Sequence, residues 1–370
     1  MSVYDKNGNE IGSGGTITDE QVKKAFISAI ADGTINMGAA IGATLSVTTY
    51  SSSWETQAKA AYAMLLAEYR TKPHVSIPFF ISTDQHGSGL QQHRFVNNID
   101  KDGMNLININ LGDTVQDVYG ETTIQGFYDT TKQVKNYIGV VGNHEAKHGA
   151  DRMYELTLSK AYGTTNLPRR HPASKCDCFA ADDPLHHVKW LVLEDYYINS
   201  DGTGYAHGFD SATVDWIIGE LSANDGMDIV LLMHWPCWRK FAKRGMLSEV
   251  DDGDSAIGFI NRWNNDTYLL WDFFVARKNK QSGTYADING TTHSYDFSNC
   301  QTDLLCTLHG HTHSEWYTTS YGLTGYAADR YYAIAGGCKC VFGLIDRQSQ
   351  KLHILEFNTD SVTEELILDI

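Results

Sequence analysis

The segment Ile77-Pro-Phe-Phe-Ile-Ser-Thr-Asp-Gln-His86 decides the fold of this chain. The apolar run within it, from Val75 to Ser82, is typical of a strand that is buried on both faces of a sheet. The run leads directly into Asp84 and His86, two residue types that bind metal ions. Because sites in α/β sheets form beyond the carboxyl ends of the strands, this ending predicts a site there.

Four further apolar runs along the chain lead into Asp, Asn or His in the same way. These endings are Gly112-Asp113, Gly142-Asn143-His144-Glu145, His234, and Gly310-His311-Thr312-His313. Taken singly, each residue has an ordinary explanation as a turn residue, a helix cap or a surface histidine. Together with Asp84 and His86, these endings bring to one edge of a sheet three oxygen ligands (Asp84, Asp113, Asn143) and four imidazoles (His86, His234, His311, His313). Imidazole with carboxylate suits zinc, iron, manganese or nickel, and a carboxylate can bridge two ions.

Helical patterns alternate with these five runs and with a sixth apolar run, Val188 to Leu193, and the alternation predicts an α/β layered core. The candidate helices in this part of the chain are Leu90–Ile99, Thr122–Val134, Arg152–Ala161 and Ser211–Ala223. The last stretch is strand-like, at Tyr331–Ala335, Val341–Ile345 and Leu352–Phe357, which predicts an antiparallel close to the sheet.

The order of the endings, D-x-H, G-D, G-N-H-E, a lone strand-end histidine and G-H-x-H, resembles that of the calcineurin-like metallophosphoesterases. The resemblance covers Ile77 to His313 for the ligands. It implies a four-layer α/β/β/α sandwich and two divalent metal ions, manganese, zinc or iron. The implied ligands are Asp84, His86 and His313 for one ion and Asn143, His234 and His311 for the other, with Asp113 bridging both.

By the same resemblance, His144 binds no metal and acts in catalysis together with Asp113. The implied reaction is the hydrolysis of phosphate esters by a metal-bound hydroxide, with His144 protonating the leaving oxygen or stabilising the transition state. A free imidazole is a natural acid at neutral pH. Monoesters and diesters both remain open, with a preference for diesters, the phosphodiesterase reaction, or nucleotide-like substrates.

Two departures from related patterns narrow the subfamily. Gln116 stands where the purple acid phosphatases carry a tyrosine, so a metal-bound tyrosinate is not expected. The segment from Gly112 to Gly120 lacks the arginine that Ser/Thr protein phosphatases carry after the second motif. The remaining group is the bacterial and phage-type phosphoesterases that act on small or polymeric phosphate esters.

A rival motif overlaps the third ending. The residues His144-Glu145-Ala146-Lys147-His148 match the zinc-protease pattern H-E-x-x-H, which requires both histidines on one helical face. The segment follows a β-run and Gly142-Asn143, which favours a loop over a helix. The protease interpretation also gives no role to Asp84 or Asp113, so we disfavour it.

Composition limits the remaining classes of function. The chain has 370 residues, 29 Lys+Arg and 45 Asp+Glu, and a net charge of −16, which disfavours binding of duplex nucleic acid, although a nuclease stays an alternative. No stretch reaches the ~20 apolar residues of a membrane span, and no secretory signal is visible, so we expect a cytoplasmic or phage- or virion-associated protein without membrane contact. A non-catalytic binding or structural protein that retains the fold is the other alternative. The sequence makes no prediction of oligomeric state.

The domain boundary is predicted near Pro73. Residues 1–72 are expected to form a mostly helical extension of unknown role, with helices from Thr18 or Asp19 to Ala31 and from Ser51–Ser53 to Arg70, and residues 73–370 the metallophosphoesterase domain. The inserts between motifs are expected to select the substrate. Arg169 and Arg170 are candidate contacts for a substrate phosphate, with a solvated basic face as the ordinary alternative. Trp235 and Trp238 are candidates for stacking on a base or sugar, with core packing as the ordinary alternative. Seven cysteines include two C-x-C pairs, Cys176/Cys178 and Cys338/Cys340, which we interpret as ordinary thiols.

Overall fold

The chain folds as a mixed α/β protein. A computed structural model describes residues 52–86, 91–100, 103–114, 134–142, 144, 169–170, 178–194, 196–198, 205–246, 248–251, 267–329, 331–332 and 337–370. In these ranges the helices are α1 (Ser52–Thr71), α2 (Gln91–Ile99), α3 (Ser211–Ser222) and α4 (Thr267–Lys278), with a short 3₁₀ turn at Ser320–Gly322. No helix within these ranges has the length and apolar character needed to cross a membrane.

Twenty-one strands occur in the described ranges. In chain order they are β1 (Ser76–Ser82), β2 (Ile107–Asn110), β3 (Tyr137–Gly139), β4 (Arg169–Arg170), β5 (Phe179–Asp183), β6 (Val188–Leu193), β7 (Tyr196–Ile198), β8 (Tyr205–His207), β9 (Asp228–Met233), β10 (Lys240–Phe241), β11 (Val250–Asp251), β12 (Ser282–Ala286), β13 (Thr292–Asp296), β14 (Leu304–His309), β15 (Trp316–Thr318), β16 (Thr324–Ala327), β17 (Tyr331–Tyr332), β18 (Gly337–Cys338), β19 (Cys340–Asp346), β20 (Lys351–Phe357) and β21 (Leu366–Asp369).

Two large sheets contain most of these strands. The six-stranded sheet has the order β21-β20-β19-β1-β2-β3, in which β1, β2 and β3 are parallel and β19, β20 and β21 extend the sheet antiparallel. The seven-stranded sheet has the order β15-β16-β14-β9-β6-β5-β4, with β6, β9, β14 and β16 parallel. Four two-stranded ribbons, β7-β8, β10-β11, β12-β13 and β17-β18, complete the described strands.

Three clusters of buried apolar side chains form the core. The first joins the two sheets, because it contains Phe79 of β1 and Ile109 of β2 together with Trp190 of β6 and Leu232 of β9. The second joins the seven-stranded sheet to α3 and α4, and the third joins the six-stranded sheet to α1 and α2. Alternate residues of one strand therefore serve different clusters, as the period of two in a β-strand requires.

The helix α1 packs on the six-stranded sheet. The Trp54 ring lies 5.6 Å from the Phe95 ring of α2 and 5.5 Å from the Phe357 ring of β20. The Tyr62 ring lies 5.9 Å from that of Phe342 in β19. The helix thus covers core residues of the sheet, while the boundary at residue 72 and the role of residues 1–72 stay predictions.

Most predicted elements that lie in the described ranges are confirmed. The six predicted runs correspond to β1, β2, β3, β6, β9 and β14, two candidate helices correspond to α2 and α3, and β19 closes antiparallel against β1. The predicted helix over Ser51–Arg70 is α1. The other candidate helices, at residues 18–31, 122–134 and 152–161, lie outside the described residues.

Candidate metal centre

The carboxyl ends of parallel strands from both sheets meet at one place. The His234 ring, after β9, donates through Nδ1 to the carbonyl of Leu111, which follows β2 in the other sheet, at 2.6 Å. The backbone N–H of His311 donates to Oδ2 of Asp84, after β1, at 2.9 Å. These bonds cross from sheet to sheet and place the strand-end residues in one cluster.

Three groups of side chains in this cluster have ligand atoms within 4.8 Å of one another. The groups are Asp84, His86 and His313; His86, Asp113 and His144; and Asp113, His234 and His311. His86 and Asp113 each belong to two groups, so the three groups form one continuous set of donors. Carboxylate with imidazole is the donor set of zinc, iron and manganese sites.

Asp84 is fully buried and has two differently placed oxygens. Oδ2 accepts from the Thr83 hydroxyl at 2.7 Å and from the His311 N–H at 2.9 Å. Oδ1 accepts no hydrogen bond from the described residues and lies 3.1 Å from Nε2 of His313. The His313 Nε2 in turn lies 3.4 Å from Nε2 of His86. One buried oxygen and two imidazole nitrogens therefore face a common point.

Asp113 lies at the centre of the set. Its Oδ1 accepts from the backbone N–H of His144 at 2.9 Å. Its Oδ2 lies 3.3 Å from Nε2 of His234 and 3.7 Å from Nε2 of His144. Because the Nδ1 of His234 is committed to the Leu111 carbonyl, its Nε2 is the atom available to a ligand.

The backbone at the site is unusual in a way that the sequence does not reveal. Five candidate ligands have positive φ: Asp84 at 52°, His86 at 46°, Asp113 at 52°, His311 at 65° and His313 at 51°. Non-glycine residues rarely adopt this left-handed region, although Asp and His do so more readily than most. Such conformations cost free energy and cluster at functional sites.

Two glycines permit the close approach of the strand ends. A Cβ on Gly142 would lie 2.3 Å from Oδ1 of Asp113 and 2.5 Å from its backbone nitrogen. A Cβ on Gly310 would lie 2.0 Å from the Thr83 hydroxyl oxygen and 3.0 Å from the Leu111 carbonyl. Gly142 is thus required by the close approach of the ends of β2 and β3 within the six-stranded sheet, and Gly310 by contact between the two sheets.

The electrostatics of the cluster favour ionised carboxylates. Burial opposes ionisation of Asp84, but the imidazoles of His313 and His234 hold its pKa below the usual value. Burial opposes ionisation of Asp113 as well, and His234 lowers its pKa. Burial disfavours the charged form of His234, but Asp113 and Asp84 raise its pKa to about 10. Burial, followed by the charge of His234, lowers the pKa of His311 to about 3.

The residues present fit a divalent metal centre. Two buried carboxylates in their ionised form require positive charge nearby, and a divalent cation supplies it while letting the imidazoles serve as neutral ligands. The free Oδ1 of Asp84 and the Nε2 of His234 are oriented by hydrogen bonds through their other atoms, as is usual for metal ligands. The site therefore has both the donor chemistry and the orientation that a metal requires.

The structure brings together every candidate ligand that it describes: Asp84, His86, Asp113, His234, His311 and His313. His144, the candidate acid, lies beside Asp113, and its side chain is 18% exposed while that of Asp113 is 1% exposed. Asn143, together with Glu145 and His148 of the protease motif, lies outside the described residues. Gln116 and the C-x-C residues Cys176 and Cys338 are not described at the side-chain level either.

Of the residues predicted to contact the substrate, the structure describes the side chains of the two tryptophans but not those of the two arginines. Trp235 is 5% exposed and Trp238 is 1% exposed, so core packing, not an open stacking surface, describes both rings. Arg239, after Trp238, donates through Nε to Asp272 at 2.7 Å. The side chains of Arg169 and Arg170 are outside the described residues. Sequence reasoning missed the buried His309, whose only signal is its place two residues before His311.

No family model and no curated protein matches the chain. A solved structure from Streptococcus pneumoniae, described as a predicted phosphoesterase, matches with 11% identity and a TM-score of 0.31, over 79% of this chain and 98% of that one. The phosphopantetheinyl hydrolase from Mycobacterium tuberculosis matches with 14% identity and a TM-score of 0.32, over 70% of this chain and 91% of that one.

Proposed function

We propose that this chain is a metal-dependent phosphoesterase of the calcineurin-like type, with a two-ion centre at the strand ends. The observation that carries the proposal is the sharing of His86 and Asp113 between the three donor groups. A shared carboxylate is the arrangement that holds two ions close together. The core clusters support the corresponding four-layer α/β/β/α sandwich, since one lies between the sheets and one on the helix side of each.

The proposed ligands are those of the motif resemblance. Asp84, His86 and His313 would hold one ion, His234 and His311 would hold the other together with Asn143, and Asp113 would contribute to both. When bound, such ions neutralise phosphoryl oxygens and lower the pKa of water towards ~7. Manganese, zinc and iron all suit this mixture of imidazole and carboxylate.

The chain's own groups then perform three tasks. His144 holds a proton for the leaving oxygen, since its imidazole is partly exposed and lies 3.7 Å from Oδ2 of Asp113. The bond from its own backbone N–H to Oδ1 of Asp113 fixes where the residue enters the site. Asp113 and Asp84 hold the negative charge that binds the cations, and their burial keeps water from screening it.

Hydrolysis of model esters tests the proposal. Metal-free protein is loaded with Mn²⁺, Zn²⁺ or Fe²⁺ and assayed with p-nitrophenyl phosphate and bis-p-nitrophenyl phosphate, with His144→Ala as the control. We expect turnover of at least one ester that depends on metal and on His144, and preference for the diester would support the diesterase assignment. Two bound ions with no turnover of either ester would favour a non-catalytic binding protein, and turnover of single-stranded DNA alone would favour a nuclease.

A further inference from the structure

His309 is a buried histidine next to the proposed metal ligands that has no role in the proposed reaction. It is the last residue of β14 and has no exposed surface. Its Nδ1 lies 2.9 Å from the carbonyl oxygen of Trp235. Because a carbonyl only accepts, the Nδ1 carries the proton and donates it to this bond. The imidazole also meets the Trp238 ring edge to face at 5.1 Å.

A second bond joins the same two segments. The N–H of Gly310 donates to the carbonyl of His234 at 3.0 Å. The loop after β9 is therefore tied to the loop after β14 by two consecutive hydrogen bonds, one from the His309 ring and one from the Gly310 backbone. We call this pair of bonds the loop clasp.

The loop clasp also holds the residue whose aromatic ring packs against a proposed ligand. The Trp235 ring lies 3.4 Å from the His311 ring, centroid to centroid, at an angle of 32°. Trp235 is 5% exposed, so its ring cannot move without opening the core. The backbone of Trp235 is held by His309, and its ring in turn packs against the imidazole of His311.

The clasp acts on one half of the site. Its residues flank His234 and His311, and both belong with Asp113 to a single donor group. The residues Asp84, His86 and His313 form the other described group, and the clasp bonds join neither Asp84 nor His86. Any effect of the clasp on metal binding should therefore fall on one ion.

We propose that His309 is a positioning residue that sets the affinity of the His234/His311 ion through its bond to the Trp235 carbonyl. The inference rests on the proposed two-ion function. Groups that orient metal ligands affect metal affinity by about 10–100-fold when they are removed. The apolar surroundings of His309 raise the value of the bond, since a buried carbonyl that loses its donor is costly.

The test compares the wild type with three variants of the full chain. The binding of Mn²⁺ to each metal-free protein is measured by titration calorimetry. His309→Leu removes the donor at similar volume. His309→Asn restores it, because the Asn amide nitrogen occupies the position of the imidazole Nδ1. Leu305→Ala is the matched control: it leaves a cavity in the buried part of the same strand, far along β14 from the clasp.

We expect the wild type to bind two ions. His309→Leu should bind one ion with unchanged affinity and the other with an affinity at least about tenfold lower. His309→Asn should recover most of that lost affinity. Leu305→Ala should lower the melting temperature and keep both affinities.

Three results would overturn the inference, and they are distinguishable. If the wild type binds two ions and His309→Leu binds both as tightly, the clasp does not position the ligands, while the proposed function stands. If the wild type binds fewer than two ions, the two-ion function itself fails, and the inference fails with it. Equal weakening in His309→Leu and Leu305→Ala would also overturn it, by showing a general effect of instability.

Discussion

The Nε2 of His234, at the end of β9 in the seven-stranded sheet, lies 3.3 Å from Oδ2 of Asp113, at the end of β2 in the six-stranded sheet. Both residues are almost completely buried, and the Nδ1 of the same imidazole is bonded to the Leu111 carbonyl. A carboxylate from one sheet and an imidazole from the other therefore face each other at the junction of the two sheets. In the proposed two-ion centre, Asp113 is the carboxylate that both ions would share.

Asp113→Asn should remove metal binding more completely than any other single change at the site. Asparagine tolerates the left-handed conformation of Asp113, whose φ is 52°, so the change removes charge with little strain. Metal content measured by mass spectrometry should fall from two ions per chain to one or none. The control is Asp346→Asn, a buried carboxylate bonded to Lys72 at 2.7 Å, which should keep both ions. Two tightly bound ions in Asp113→Asn would exclude the bridging role.

His144→Ala should lower activity and spare metal binding. General acid catalysis contributes roughly 10²–10⁴-fold, so the turnover number of an ester with a poor leaving group should fall by about that factor. An ester with a good leaving group, such as p-nitrophenolate, needs less protonation and should lose less. Loss of one metal ion in His144→Ala would instead make His144 a ligand, which its grouping with His86 and Asp113 permits geometrically.

Gly142→Ala should disrupt the site through sterics alone. The new Cβ would lie 2.5 Å from the backbone nitrogen of Asp113, so the strand end must move. Metal affinity should fall together with the melting temperature. Gly219→Ala in α3 is the matched control, because no atom lies within 4 Å of its new Cβ. It should stabilise the protein by about 0.5–1 kcal/mol and leave metal binding unchanged, since alanine is the better helix former. Equal metal affinity in both variants would show that the close approach at Gly142 is not needed.

His93 should make stability depend on pH below neutrality. Burial lowers the pKa of its imidazole to about 3, and the ring is held by Ser82 at 2.6 Å and Asn108 at 3.3 Å. The unfolded chain takes up this proton near pH 6.5, whereas the folded chain does not until about pH 3. The contribution to stability is therefore complete above pH 6.5 and is lost as the pH falls, by up to about 1.4 kcal/mol per pH unit.

The comparison of wild type with His93→Gln isolates this term. The free energy of unfolding, measured by urea denaturation between pH 6.5 and 4.5, should fall more steeply in the wild type. Parallel pH profiles for the two proteins would contradict the assignment of a neutral buried imidazole at this position.

Trp235 should report metal binding by fluorescence. Its ring lies 3.4 Å from that of His311, so an ion such as Co²⁺ bound to this histidine should quench its emission. The quenching should be lost in Trp235→Phe and kept in Trp54→Phe, whose ring packs between α1, α2 and β20. Unchanged quenching in Trp235→Phe would place the ion away from His311.

Much of the fold could be predicted because the strands that carry the site are simple in sequence. The run Ser76–Ser82 is buried at every position, and its apolar residues reveal that directly. The helix α4 was missed because its apolar residues, Trp271 and Phe274 among them, occupy several faces, which leaves little helical periodicity to detect. The strand β5, Phe179–Asp183, was missed because it ends in two acidic residues.

For the candidate site, sequence predicted which residues meet but not how they are held. Asp84, Asp113 and His234 each follow a parallel strand, and the carboxyl ends of such strands lie at a common edge where sites form. The sequence does not reveal the positive φ values of the ligands, and the bond from His309 to Trp235 joins residues 74 positions apart in the chain. Contacts between residues more than 70 positions apart leave no local pattern in a single sequence.

A titration of activity against metal tests the proposed two-ion centre and its hydrolysis of phosphate esters. Metal-free protein at a known concentration receives increasing equivalents of Mn²⁺ while the hydrolysis of bis-p-nitrophenyl phosphate and p-nitrophenyl phosphate is followed. We expect the rate to rise with metal and to reach its plateau at two equivalents per chain. A plateau at one equivalent, or two ions bound tightly without hydrolysis of either ester, would contradict it.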